Sequence, residues 1–267
     1  MNFSTLTVEL AESVLHITLD RPAQRNAMSL SMVAELQAAL GQALADPAIR
    51  ILVLRGAGGN FCAGGDIADM AKAGAQPAAG EADPLAAMNE KFGHLCATFA
   101  QSSKPVIAIL EGAVVGGGFG LACVADIAIA APDAKFRLSE TTLGLIPAQI
   151  APFLVARLGF STANRLALTA ATLNGRQAHQ IGLVHEIAEG SMIINEKLQS
   201  IIIALKKSPP DALAATKFLL RRAVFEPPET LIADAAHLFA RAARGAEAQE
   251  GMAAFLQKRA PSWAESR

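Results

Sequence analysis

The sequence predicts an α/β fold. Short β-branched runs alternate with Ala-rich stretches of helical spacing in the first half, and glycine-rich turns stand just after the expected strands. Beyond about residue 150 the strand signals nearly vanish. The 267-residue chain is 52% hydrophobic and 18% charged, enough to bury a sizeable core in one large domain or two modest ones.

In chain order, Val14-Leu15-His16-Ile17-Thr18-Leu19 reads as a strand that Arg21-Pro22 ends. Leu30 to Leu44 repeats apolar residues at helical spacing, through Met32, Val33, Leu36, Ala39, Leu40 and Ala43, and stops near Asp46-Pro47. The run Ile51-Leu52-Val53-Leu54 has the continuous apolarity of a strand buried on both faces. Glycine-rich Gly56 to Gly65 leads into a helix over 67–73, and the Ala, Gly, Pro and acid mixture of 77–84 reads as a loop. A helix over 85–100 precedes a strand over 105–110. The second glycine cluster, Gly116-Gly117-Gly118-Phe119-Gly120, opens a short helix to Val124, and 126–130 forms the next strand. Helical character then marks 152–158, 161–170, 175–181, 191–206, 211–224, 229–244 and 247–258, with only Leu183-Val184-His185-Glu186 extended. The expected organisation is a core over 1–190 and a C-terminal helical region over 191–267 that docks on the core or on a neighbouring subunit.

Composition excludes several function classes. With 23 Lys+Arg against 24 Asp+Glu and a net charge of −1, the chain lacks the basic surface that phosphate-backbone binding needs, so no nucleic-acid partner is expected. Cys62, Cys96 and Cys123 are odd in number and lack C-x-x-C spacing, which argues against a disulfide framework and a structural zinc site and fits a reduced, cytoplasmic compartment. No segment has a signal peptide's basic start and apolar run, and the longest apolar runs fall far short of the roughly 20 residues a bilayer span needs. With no Tyr in the chain, a phenol acid is excluded.

Two turns carry the chemistry. Phe61-Cys62-Ala63-Gly64-Gly65-Asp66-Ile67 and Gly112 to Gly120 each follow a strand and lead into a helix. Glycine there lets the backbone approach a ligand and leaves early helix N–H groups unpaired; two such turns can supply two donors to one carbonyl oxygen, an oxyanion hole. Tight strand-to-helix turns also occur without a ligand, and this alternative stays open on the residues alone. Neither G-x-G-x-x-G, nor a P-loop, nor a G-x-S-x-G elbow is present. Glu140, a lone carboxylate in a mostly apolar stretch ahead of Gly144 and Pro147, is the candidate acid/base, since burial would raise its pKa toward neutrality. The alternative is a solvated loop acid or an ion-pair partner. His16, His94, His179, His185 and His237 read as structural histidines, with no H-E-x-x-H metal motif, and Asp66 reads as a helix-start acid.

Five ordered segments resemble the enoyl-CoA hydratase/isomerase (crotonase) family. They are Arg21-Pro22 to Asn26-Ala27-Met28, Cys62 to Ile67, Gly112 to Asp126, Phe136 to Pro147, and Glu250 to Arg259. The resemblance implies a spiral of ββα units with a C-terminal helical region, assembled as a homotrimer or a dimer of trimers, and a CoA-thioester substrate with no metal or further cofactor. It places the oxyanion donors at Gly65 and Gly117, and the acid/base at Glu140. Arg25, Asn26, Ala27, Ala63, Gly65, Asp66, Ile67 and Ala68 would hold the CoA moiety and the thioester. Phe255 and Lys258 would approach the adenine and phosphates, often from a neighbouring subunit. One departure stands out: Gly120 occupies the place of the first of the two glutamates found in the family's hydratases. Two further stretches, 116–123 and 143–153, resemble two branches of the family, the isohexenylglutaconyl-CoA and methylglutaconyl-CoA hydratases. That favours hydration of a branched enoyl-CoA. A 3-enoyl to 2-enoyl isomerase using one glutamate and a non-catalytic acyl-CoA-binding protein are the alternatives.

Overall fold

In the computed structural model, which describes residues 3–74, 77 and 81–264, the apolar runs of the first half become β-strands. The strands are β1 (Leu6–Ala11), β2 (Val14–Leu19), β3 (Ile51–Gly56), β4 (Val106–Leu110), β5 (Ala113–Val115), β6 (Ile127–Ala130), β7 (Lys135–Arg137) and β8 (Glu186–Ile187). Six of them form a sheet in the order β1-β2-β3-β4-β6-β8, in which only β1 runs antiparallel to its neighbour. β1 was not among the expected strands, although its Leu6, Val8 and Leu10 alternate with polar residues as a half-buried strand requires. Its hairpin turn places Glu12 and Ser13 at positive φ.

The helices are α1 (Leu30–Ala45), α2 (Ile67–Ala73), α3 (Pro84–Gln101), α4 (Gly117–Val124), α5 (Ala151–Thr169), α6 (Gly175–Gln180), α7 (Gly190–Lys206), α8 (Pro210–Phe225), α9 (Pro228–Arg244) and α10 (Ala246–Leu256). The expected break between 158 and 161 is real: Gly159, at φ 71 and ψ 160, interrupts helical geometry inside α5. Of the expected loop over 77–84, residues 78–80 lie outside the described residues, and Pro84 already opens α3.

Period-two alternation explains the two cores. Leu52 and Leu54 face the large cluster shared with α1, α3, α4 and α5, while Ile51 and Val53 point the other way with Ile107, Ile109 and Ile129. The second face is covered by α7 through Ile194, Leu198 and Ile202. Helix α8 is pinned to the core by Lys217, whose ammonium meets the Asp126 carboxylate and the Lys104 carbonyl. Asp126 in turn accepts the Val106 N–H at 2.7 Å.

A second strip of backbone pairing runs alongside the sheet and matters most for the site. Met28 bridges Gly65, Cys62 bridges Val114, β5 pairs with β7, and Phe136 bridges Leu173. β2, β3, β4 and β6 are thus each followed by a short second segment and then a helix, the repeating ββα pattern. Among the described residues no helix is long and apolar enough to cross a membrane, and no group of three or more His, Cys, Asp or Glu residues could hold a metal ion.

Candidate active site

The strip fixes the two glycine turns. Cys62 N–H donates to the Ala113 carbonyl at 2.8 Å and Val115 N–H to the Cys62 carbonyl at 2.9 Å, so the first turn is zipped to the strand that feeds the second. On its other side, Met28 N–H donates to the Gly64 carbonyl at 2.7 Å and Asp66 N–H to the Met28 carbonyl at 3.0 Å. In this parallel bridge the residues flanking Gly65 make the bonds, which leaves the Gly65 N–H aimed away from Met28. Gly117 is the first residue of α4, so its N–H has no acceptor within the helix. Neither N–H has a backbone partner among the described residues.

Close approach of the turns requires glycine at two places. A Cβ at Gly118 would lie 2.7 Å from the Cys62 Cβ. Gly116 adopts φ 51 and ψ −114, a conformation L side chains avoid, and a Cβ there would lie 3.4 Å from the Gly64 Cα and 3.1 Å from Glu140 Oε1. Both turns and the carboxylate therefore meet within a few ångströms.

Glu140 heads a short 3-10 turn, Glu140–Leu143, closed by Gly144 in the left-handed region. Its Oε2 is buried with no hydrogen-bond partner, and burial pushes its pKa up. A carboxyl so placed is no ion-pair member and can exchange a proton with a molecule in the adjoining cavity. Cys62 is no rival nucleophile, because burial pushes its thiol up to about 11.

These groups open onto a cavity of about 520 Å³. Gly65 and Gly117 line it, with Ala63, Asp66, Ile67 and Glu140. Its other lining residues include Met28, Val33, Met70, Leu85, Met88, Phe92, Leu143 and Ile150, and none is Lys, Arg or His. Mostly apolar walls with a few convergent polar groups are the usual form of a small-molecule site.

Several expected residues are placed differently. Asn26 is a correction: it is wholly buried, accepts the Arg21 N–H at 2.8 Å, and donates to the Ala57 and Asn60 carbonyls at 2.9 and 2.6 Å. Its side chain is spent on bracing the turn and cannot reach a ligand. Arg25 is exposed and, with Ala27, lies outside the cavity lining; the Arg25 carbonyl holds the Ala63 N–H at 3.0 Å. Asp66 caps α2 through the Ala68 N–H and pairs with Arg21 at 2.9 Å, as a helix-start acid should. Phe255, 83% exposed, and Lys258, also exposed, stand at the end of α10 and do not line this chain's cavity. Among the histidines, His185 Nδ1 accepts the Ala128 N–H at 2.9 Å, a structural use.

The Gly120 position is closed by apolar groups. A Cβ there would meet Ile150 Cγ1 at 3.1 Å and Phe92 Cζ at 3.4 Å. The same ring lies 3.3 Å from a Cβ position at Gly117. Phe92 and Ile150 were not foreseen as site residues; the only sequence signal was their place on elements flanking the glycine cluster.

Across residues 9–266 the sequence matches the model of the enoyl-CoA hydratase/isomerase family. The chain belongs to that family. An enoyl-CoA hydratase/isomerase structure from Marinobacter aquaeolei is similar to it at 52% identity and a TM-score of 0.93, covering 98% of this chain and 99% of that one. The Pseudomonas aeruginosa AtuE structure is similar at 50% identity and a TM-score of 0.93, with 98% and 100% covered. The 2,3-dehydroadipyl-CoA hydratase of Escherichia coli (strain K12) is 33% identical over 261 residues, 97% of this chain and 98% of that protein. The expected ββα fold is thereby established at the level of whole-chain similarity, and an enzyme of the hydratase/isomerase type with it.

Proposed function

We propose that this family member is a hydratase that adds water across C2=C3 of a branched enoyl-CoA of glutaconyl type, in acyl or acyclic-terpene breakdown. The observation that carries the reading is the buried Glu140 Oε2, which has no hydrogen-bond partner, set beside two glycine turns whose N–H groups at 65 and 117 have no backbone partner among the described residues. Those two N–H groups hold the thioester oxygen, which draws charge from C3 and makes it electrophilic. Glu140 takes a proton from water as its oxygen bonds to C3, and returns that proton to C2. The E. coli relative, named for a dehydroadipyl thioester, acts on an acyl group with a second carboxylate, which supports a substrate of that kind. Trimers or dimers of trimers fit the apolar side chains left exposed on the C-terminal helices, Phe218, Phe225, Phe239 and Phe255 among them. In such an assembly Phe255 and Lys258 of one subunit serve a neighbour's CoA, and Arg25 faces its phosphates.

One observation favours a second reading. With Phe92 and Ile150 filling the space beside Gly120, Glu140 acts without a second glutamate there, and one carboxylate suffices to carry a proton between C2 and C4. Matched 2-enoyl and 3-enoyl thioesters separate the two reactions. Hydration lowers the absorbance of the conjugated thioester, whereas isomerisation of the 3-enoyl form raises it. A fall with the branched 2-enoyl thioester is expected; a rise with the 3-enoyl form and no fall would establish the isomerase, and binding without turnover a silent acyl-CoA binder.

A further inference from the structure

Helix α3 carries a glycine where a helix is better served by alanine. Gly93 lies in the middle of this 18-residue helix, where glycine is less favourable than alanine. Its backbone is not in the left-handed region, so conformational freedom is not what it supplies. Space is. A Cβ at 93 would lie 2.6 Å from Gln149 Cδ and 3.1 Å from its Cγ, with Oε1 closer still. The missing methyl makes a notch in which the Gln149 carboxamide is seated.

That carboxamide has no hydrogen-bond partner among the described residues, although it is half-buried. At this partial exposure water can serve the amide, and a molecule bound in the cavity would take that water's place. Gln149 lines the cavity beside Ile150, the residue that packs at Gly120. With Oε1 turned to the helix, the NH2 end remains for whatever occupies the cavity. Asn89, which is exposed, stands one helical turn before Gly93 on the same face of α3 and also lines the cavity. The rest of this wall is apolar, and no cationic residue lines the cavity among the described residues.

We propose that Gln149 is a specificity-determining residue whose carboxamide NH2, held in the Gly93 notch, donates to a carboxylate on the acyl chain of the substrate. Asn89 adds a second donor at the same end. The proposal rests on the glutaconyl reading above and names the groups that recognise the second carboxylate. With no cation among the described lining residues, neutral donors must replace its hydration, and these two amides are the ones on the acyl wall.

Calorimetric binding of two saturated thioesters tests this without turnover: 3-methylglutaryl-CoA, which has the carboxylate, and 3-methylbutyryl-CoA, which lacks it. The intact protein is expected to prefer the first by about tenfold, the scale of one hydrogen bond to a charged group. Gln149→Ala should reduce the preference below about twofold, with 3-methylglutaryl-CoA affinity falling several-fold more than 3-methylbutyryl-CoA affinity. Gly93→Ala should do the same by expelling the carboxamide, with no loss of thermal stability because the helix gains alanine. Gln149→Glu should reverse the preference by like-charge repulsion. Equal affinities in the intact protein, or a preference that survives Gln149→Ala, would overturn the assignment, as would an equal loss for both thioesters. The hydration reading fails separately: a preference abolished by Gln149→Ala in a protein that hydrates no thioester keeps the role of Gln149 and removes the reaction.

Discussion

The two walls of the cavity are built by different means. The wall carrying Gly65 and Gly117 is backbone, zipped by bonds such as Met28 N–H to the Gly64 carbonyl and Cys62 N–H to the Ala113 carbonyl. The opposite wall is side chain: Phe92 and Asn89 from α3, and Leu143, Gln149 and Ile150 from the stretch ahead of α5. A backbone wall admits no substitution of its donors and few of its glycines, whereas a side-chain wall can be rebuilt residue by residue. In the proposed reaction, polarisation of the thioester falls to the first and choice of acyl group to the second, and Glu140 stands where they meet.

The sharpest test of this division is removal of the group common to both walls. Glu140→Gln should lower the turnover of the best substrate by about 10³-fold, the usual scale of general acid–base catalysis, with thioester binding nearly unchanged. Because burial raises the Glu140 pKa, the acid limb of kcat/KM should lie above the ordinary carboxylate value of 4.5. The linkage has a definite sign. A carboxyl whose folded pKa is raised favours the folded state at low pH and opposes it once pH rises through the folded pKa. Glu140→Gln should therefore be no less stable than the parent at neutral pH, and a fall in its melting temperature there would contradict the unpartnered burial of Oε2.

A smaller effect is expected from the backbone wall. Gly116→Ala forces a side chain into φ 51 and ψ −114 and sets a methyl 3.1 Å from Glu140 Oε1. The carboxylate or the turn must move, and displacement on that scale costs about 10²-fold in turnover. Steady-state kinetics should show the loss in kcat for every acyl chain alike. A loss confined to one acyl chain would mean that this wall also selects substrate, and the division would fail.

The same contrast explains what could be read from the sequence. Glycine-rich turns mark in the sequence where backbone can approach a ligand, although only the structure shows Gly64, Gly116 and Gly118 packed turn against turn. The strands at 14–19 and 51–54 and most helices were legible from periodicity. β5 and β7 were not: each has three residues, and their pairing depends on the spiral bringing 113–115 beside 135–137. The side-chain wall was illegible for the same reason. Phe92 and Ile150 lie 58 positions apart and meet only over Gly120, so neither local pattern marks them as site residues. Asn26 shows the converse: its motif is legible, but its wholly internal hydrogen bonding appears only once the 57–60 turn is in place.

The smallest effect expected is at Gly120, where the two walls touch. Replacing it by glutamate in the intact protein does not create a second acid/base, because the side chain would start 3.1 Å from Ile150 and 3.4 Å from Phe92. Overpacking of this kind costs about 1–3 kcal/mol, and the carboxyl has no charged partner among the cavity-lining residues. Gly120→Glu should lower the melting temperature by several degrees and reduce hydration about fivefold. Phe92→Ala removes the obstructing ring, so the double variant should recover stability relative to the sum of the single changes, by about 1 kcal/mol of coupling. Thermal melts and hydration rates of all four proteins close the cycle. If Gly120→Glu alone raised hydration, the ring would be yielding rather than fixed, and the acyl wall would have to be described as mobile.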